Sequence, residues 1–189
     1  MKLTYHTYKI NDLPEEYLNQ INSIKKDIIQ EKKDLTWKNY TDEGFDLKKQ
    51  VAITLAVSED KIKIFATIYT NSFYGENVYR IFNRIYKTND IRDLGARKKY
   101  NDSHITHPIL FEQENYVKNL NPKFYFISRQ RNQTKWLNYY INNYNTEYKS
   151  NLIVTDGHYK ICTQNQNNRC CQLLIYPSNL EIPFLKCNK

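Results

Sequence analysis

Two apolar runs rich in Val, Ile, Thr and Tyr, 51–57 and 62–69, flank the four polar residues Ser58-Glu59-Asp60-Lys61. Runs of this length and composition read as strands. A connection this short permits only an antiparallel hairpin, because a parallel return needs a crossover of a dozen residues or more. A second turn at Tyr74-Gly75-Glu76-Asn77 leads into a third run, 78–87. The middle of the chain is therefore expected to be a three-strand antiparallel meander. Such a sheet must be covered by helices or by another sheet.

The cover is encoded on both sides. Asp12 and Glu15 have capping-box spacing, and Pro14 suits a first helical turn. Behind them Leu13, Tyr17, Leu18, Ile21, Ile24, Ile28 and Ile29 mark one helical face, with Lys25, Lys26, Glu31 and Lys32 outside it. A short helical piece carrying Trp37 is expected at 36–40. After a polar connection, 88–106, a helix is expected over 108–120, opened by Pro108 and stopped by Asn121-Pro122. Phe124-Tyr125-Phe126-Ile127 then reads as a buried strand, followed by a polar turn and a helix with Trp136, Leu137, Tyr140 and Ile141 along one side. Segment 152–154, the turn pair Asp156-Gly157 and segment 159–162 read as strand, turn and strand. A loop at 163–168 precedes the final strand, 172–176.

This order predicts a mixed α/β (α+β) fold in which the 124–127 strand lies parallel to the 78–87 strand, linked by the 108–120 helix. The 189 residues suffice for one domain, with N-terminal helices in 1–50, the core sheet and helices in 51–176, and a tail at 177–189. A hydrophobic content of 40% with 14% aromatic residues argues for a folded chain. No run approaches the roughly 20 apolar residues that span a bilayer, and the first residues lack a signal-like apolar stretch. A cytoplasmic protein with no membrane partner is expected.

The surplus of Lys, Asn, Ile and Tyr resembles the product of an AT-rich genome, such as many phages carry. It accounts for the net charge of +8 as well as an anionic partner does. Cys162, Cys170, Cys171 and Cys187 do not match zinc-ligand spacing and are expected as free thiols. His104 and His107 are expected in a loop, with no metal.

The chemistry concentrates where the 124–127 strand gives way to a helix. Asn132 lies just past the strand, and Tyr139 follows seven residues later on the helix's second turn. An amide and a phenol at this spacing suit a cofactor tail gripped beside a proton donor. Together with the element order, this resembles the GCN5-related N-acetyltransferase (GNAT) superfamily over roughly 51–176. That resemblance implies acetyl-CoA as co-substrate, lying where strands 78–87 and 124–127 splay apart. Its pyrophosphate would rest on an Arg/Gln-x-x-Gly-x-Gly/Ala loop, since consecutive amide donors at a helix start favour a charged phosphate. Arg92 and Gly95 fall on that motif's arginine and first glycine. Arg97 stands where the family has Gly or Ala, and Asn89 where it often has proline.

Arg92, Arg97, Lys98 and Lys99 read equally as contacts for the CoA phosphates or as a solvated loop. In the second window, Asn132 and Tyr139 match, while Lys135 replaces an alanine and Asn143-Tyr144 a Gly-Phe pair. By the resemblance Asn132 contacts the pantetheine or phosphate portion and Tyr139 protonates the departing thiolate as general acid. No general base is evident beyond Glu76, which sits at a turn. The expected function is transfer of acetyl from acetyl-CoA to a primary amine, with the acceptor and the oligomeric state left open. The alternative is a non-catalytic scaffold binding nucleic acid or a viral or host protein. On that reading Tyr79, Arg80, Arg84 and Tyr86 form a basic surface for stacking bases and contacting phosphates.

Overall fold

A computed structural model of the chain describes residues 1–34, 46–70, 75–81, 85–91, 103–129, 134–157, 159–161 and 169–180. Among these are the strands β1 (Thr4–Lys9), β2 (Gln50–Ser58), β3 (Lys61–Thr70), β4 (Val78–Arg80), β5 (Ile85–Lys87), β6 (Phe124–Arg129), β7 (Ile153–Val154), β8 (Tyr159–Ile161) and β9 (Arg169–Tyr176). The α-helices are α1 (Glu15–Asp34), α2 (Ser103–Lys118) and α3 (Thr134–Tyr148). The architecture is the expected mixture of helices and a mostly antiparallel sheet. Two compact units are present, Met1–Thr67 with Arg84–Glu112, and Ile68–Asn83 with Gln113–Lys189.

In the first unit β2 and β3 are neighbours as expected, joined through Glu59 and Asp60 at φ 50° and 58°. Two successive positive φ values give the turn the twist that antiparallel strands need. α1 grips this turn. The Gln20 amide donates to the Asp60 carbonyl (2.9 Å), and its oxygen accepts from the Ile62 N–H (2.8 Å). Ile21 and Ile28 of α1 pack on Leu47, Ile53, Leu55, Val57, Ile62, Phe65 and Tyr86. Phe65 stacks on Tyr86 at 4.5 Å, across the antiparallel β3–β5 pair.

Three details of the N-terminal region differ from expectation. α1 begins at Glu15, with the Pro14 carbonyl accepting from the Leu18 N–H (3.0 Å), while Asp12 belongs to a preceding 3-10 turn. Leu18 is exposed, so the buried stripe is narrower than the apolar pattern suggests. Ahead of the helix, β1 pairs antiparallel with β2 from Thr4↔Val57 to Lys9↔Ala52. The expected 36–40 helical piece lies outside the described residues.

The second unit is organised by β6 and β9. β4 and β6 pair in parallel, Val78↔Phe124 to Arg80↔Phe126, as the element order requires. β9 runs antiparallel to β6 from Tyr125↔Tyr176 to Arg129↔Gln172. The segments around 153 and 160 do not form a hairpin with each other. β7 pairs with Leu174 and Ile175, and β8 with the segment from Arg169 to Cys171, so each takes a different stretch of the longer β9. Thr155 supports this arrangement: its N–H donates to the Leu173 carbonyl (2.8 Å) and its hydroxyl accepts from the Leu173 N–H (3.2 Å). Val78, Phe124, Phe126, Tyr159, Cys171, Leu173 and Ile175 form the core on this face.

α2 starts earlier than expected, at Ser103, and holds Pro108 inside it. Proline removes one backbone donor. Here that donor would have bonded His104, one turn from the helix start, so the preceding residues still wind. His104 and His107 are therefore helical, not loop, residues, the first exposed and the second buried. Among the described residues no three His, Cys, Asp or Glu side chains gather as a metal site, and no helix is long and apolar enough to cross a membrane.

Candidate functional site

Successive residues of β6 point to opposite faces of the sheet. Phe124 and Phe126 enter the core with β9, and Tyr125 turns to the other face, where its phenol meets α2. Among the described residues the parallel ladder with β4 runs from Val78↔Phe124 to Arg80↔Phe126. The Ile81 N–H also donates to the Phe126 carbonyl (3.0 Å), and residues 82–84 lie outside the described ones. β6 nevertheless continues to Arg129, and its ladder with β9 runs the whole way. Among the described residues no strand pairs with the β4-facing edge of β6 beyond Phe126. Ser128, two residues on, turns its backbone to that same edge.

Behind β6 sits a buried carboxylate. Glu114 of α2 is 1% exposed. Its Oε1 accepts from the Tyr144 hydroxyl (2.5 Å) and the Ser150 hydroxyl (2.8 Å). Its Oε2 accepts from the Tyr125 hydroxyl and lies 3.6 Å from Lys118 Nζ. Tyr125 stacks on Tyr176 (5.2 Å) and Tyr144 on Tyr148 (5.1 Å), while Lys118 Nζ also lies 5.2 Å above the Tyr176 ring. Both phenols are pushed well above their ordinary range, first by burial and then by the Glu114 charge and its hydrogen bond. They are held as neutral donors. Glu114 is absent from the sequence-based site residues, yet it was findable: Leu110, Glu114 and Val117 follow helical spacing on a buried face, a core position where a carboxylate needs donors.

No family model and no curated protein sequence matches this chain. Solved structures do. An acyl-CoA N-acyltransferase from Pseudomonas aeruginosa superposes with a TM-score of 0.54 at 10% identity, covering 91% of this chain and 98% of that one. Escherichia coli ElaA superposes at 0.52 with 8% identity, covering 92% and 99%. The chain has the GNAT fold.

On this GNAT scaffold the expected site residues fare unequally. Arg92, Gly95 and Asn132 lie outside the described residues, as do Arg97, Lys98 and Lys99. The strand leading toward Arg92 is anchored: the Thr88 N–H donates to the Lys63 carbonyl (2.9 Å), and Lys63 Nζ pairs with Asp90 (2.7 Å). Partial burial pushes the Asp90 carboxyl up, but its hydrogen bonds to Lys63 and Thr88 outweigh that and leave it below the ordinary value. Lys87, at the end of β5, is lowered by burial. Tyr139 is described, and it is 68% exposed. Tyr140, Ile141 and Tyr144 form the buried side of α3, and helical spacing sets Tyr139 opposite them.

The surface invoked for nucleic acid is not a surface. Tyr79, Arg80 and Tyr86 are buried, so they offer no rings for stacking bases. Arg80 Nε donates to Ser128 Oγ (3.0 Å), and its guanidinium lies 5.5 Å above the Tyr69 ring. Tyr79 and Arg80 point to opposite faces of β4, and both are buried because β4 is covered on both faces. Arg84 lies outside the described residues. Cys171 is a buried free thiol, as expected.

Proposed function

We propose that this protein is an acyl-CoA-dependent N-acyltransferase that moves acetyl from acetyl-CoA to a primary amine. The observation that carries the reading is the GNAT fold itself, shared over nine-tenths of the chain with an acyl-CoA N-acyltransferase. In this reading the edge of β6 beyond Phe126 gives its backbone donors and acceptors to an extended pantetheine arm, much as a neighbouring strand would use them. The amine nitrogen attacks the thioester carbonyl carbon, the N–C bond forms, and the C–S bond breaks. The Tyr139 phenol gives its proton to the leaving thiolate, and the proton lost by the amine passes to water. Exposure of Tyr139 suits a group that meets a ligand arriving from solvent. Arg92, Gly95 and Asn132 take the phosphates and pantetheine in this reading. Much of the acceleration is proximity of amine and carbonyl.

Calorimetry with acetyl-CoA, followed by thiol release in the presence of polyamine, aminoglycoside and lysine-peptide acceptors, tests the proposal. Binding with turnover on at least one amine is expected. Replacing Tyr139 by Phe should leave binding intact and lower kcat by about 10²- to 10⁴-fold. Failure to bind acetyl-CoA would overturn the reading.

A further inference from the structure

We propose that Glu114 is a positioning residue for acetyl transfer, its carboxylate fixing the rotation and height of α3 on β6 and so setting where Tyr139 stands. The inference rests on the transferase reading above. Donors reach this one carboxylate from separate parts of the chain: Tyr125 on β6, Tyr144 on α3, Ser150 just beyond α3, and Lys118 at the end of α2. A buried anion is tolerated only when its lone pairs are filled, so the donors must converge on it. Apolar side chains of similar volume could pack α3 as closely, but they would let it slide or roll. Hydrogen bonds to fixed oxygens do not.

Tyr139 and Tyr144 ride on the same rigid helix, five residues or about 7.5 Å apart along its axis. Any roll of α3 that breaks the Tyr144 contact swings Tyr139 by the same angle. A second polar anchor, Asn145, exchanges hydrogen bonds with Leu152 (2.8 and 3.2 Å). It ties α3 to the segment entering β7, which meets β6 only through β9 and so gives no direct reference to β6. The Glu114 cluster supplies that reference.

The test is a double-substitution cycle on Glu114→Gln, which keeps the shape of the side chain but replaces one acceptor by an amide donor. Acetyl-CoA binding measured by calorimetry should hold, while kcat falls by on the order of 10²-fold, as for an ångström-scale misplacement of a catalytic group. Adding Tyr139→Phe should then cost little more, because both changes remove the same proton donation. Losses that multiply, or an unchanged kcat in Glu114→Gln, would overturn the proposal. Should Glu114→Gln fail to fold, Tyr144→Phe carries the same cycle with the carboxylate still partnered. Hydrogen exchange judges the clamp without any activity. Faster exchange along α3 with α1 unchanged supports it, and unchanged α3 protection refutes it. A wild-type protein with no acetyl-CoA turnover sinks the transferase reading instead, leaving exchange to decide the clamp.

Discussion

Replacing Tyr144 by Phe removes one hydroxyl from the Glu114 carboxylate and nothing else from the ring's packing. The bond is short, 2.5 Å, and it joins a neutral donor to a charged acceptor. Hydrogen bonds of this class contribute about 1.5–3 kcal/mol. Tyr125, Ser150 and Lys118 still reach the carboxylate, so the anion is not orphaned, and the loss should sit near 2 kcal/mol. With a urea m-value of roughly 2 kcal/mol/M, the midpoint falls by about 1 M. Near-UV circular dichroism in urea reads it, with Tyr139→Phe as an exposed control expected to be neutral. If the two compact units unfold separately, the shift belongs to the transition of the unit that contains Gln113–Lys189.

The pH dependence has a definite sign. The folded phenol is raised above its ordinary 10.0. Its contribution is complete below that value. At higher pH the unfolded tyrosine releases its proton while the folded one keeps it, so stability declines. Wild type should therefore lose stability faster than Tyr144→Phe above pH 10.0, and the gap between them should narrow. A midpoint shift under about a quarter of that expected at pH 7, or a gap that widens in alkali, would refute the reasoning.

Two further substitutions probe the first unit. Ile21→Ala, at a fully buried position of α1, should destabilise by about 2–5 kcal/mol in the same urea assay. Leu18→Ala, exposed on the same helix, should stay within about 0.5 kcal/mol, and similar losses at both would contradict the orientation of α1. Changing Glu59-Asp60 to Asn-Gly relieves two positive-φ residues and should raise the thermal midpoint, with a gain of about 0.5–2 kcal/mol. A lower midpoint would show that the turn depends on its present side chains.

The legible parts of this fold were those whose signal is local. The β2–β3 hairpin announces itself because two apolar runs and a short turn lie within twenty residues of one another. The parallel placement of β6 beside β4 followed from the crossover rule. β1 was missed because Thr4-Tyr5-His6-Thr7-Tyr8-Lys9 is largely polar and its partner lies more than forty residues away. The β7–β8 hairpin was wrongly expected because Asp156-Gly157 is a strong turn signal, while β9, the competing partner, comes later in the chain. At the site, Tyr139 stood out by its spacing from Asn132. Glu114 did not, because its importance comes from phenols that are distant in sequence and meet only after folding.

β9 has a consequence for biosynthesis. β6, β7 and β8 all depend on this one strand, and it leaves the ribosome after each of them. The segments Met1–Thr67 and Arg84–Glu112 are complete once Glu112 has emerged, whereas the rest must wait for residues up to Tyr176. A nascent chain stalled before Arg169 would thus display the naked flank of β6, a target for chaperones and for pairing with other chains.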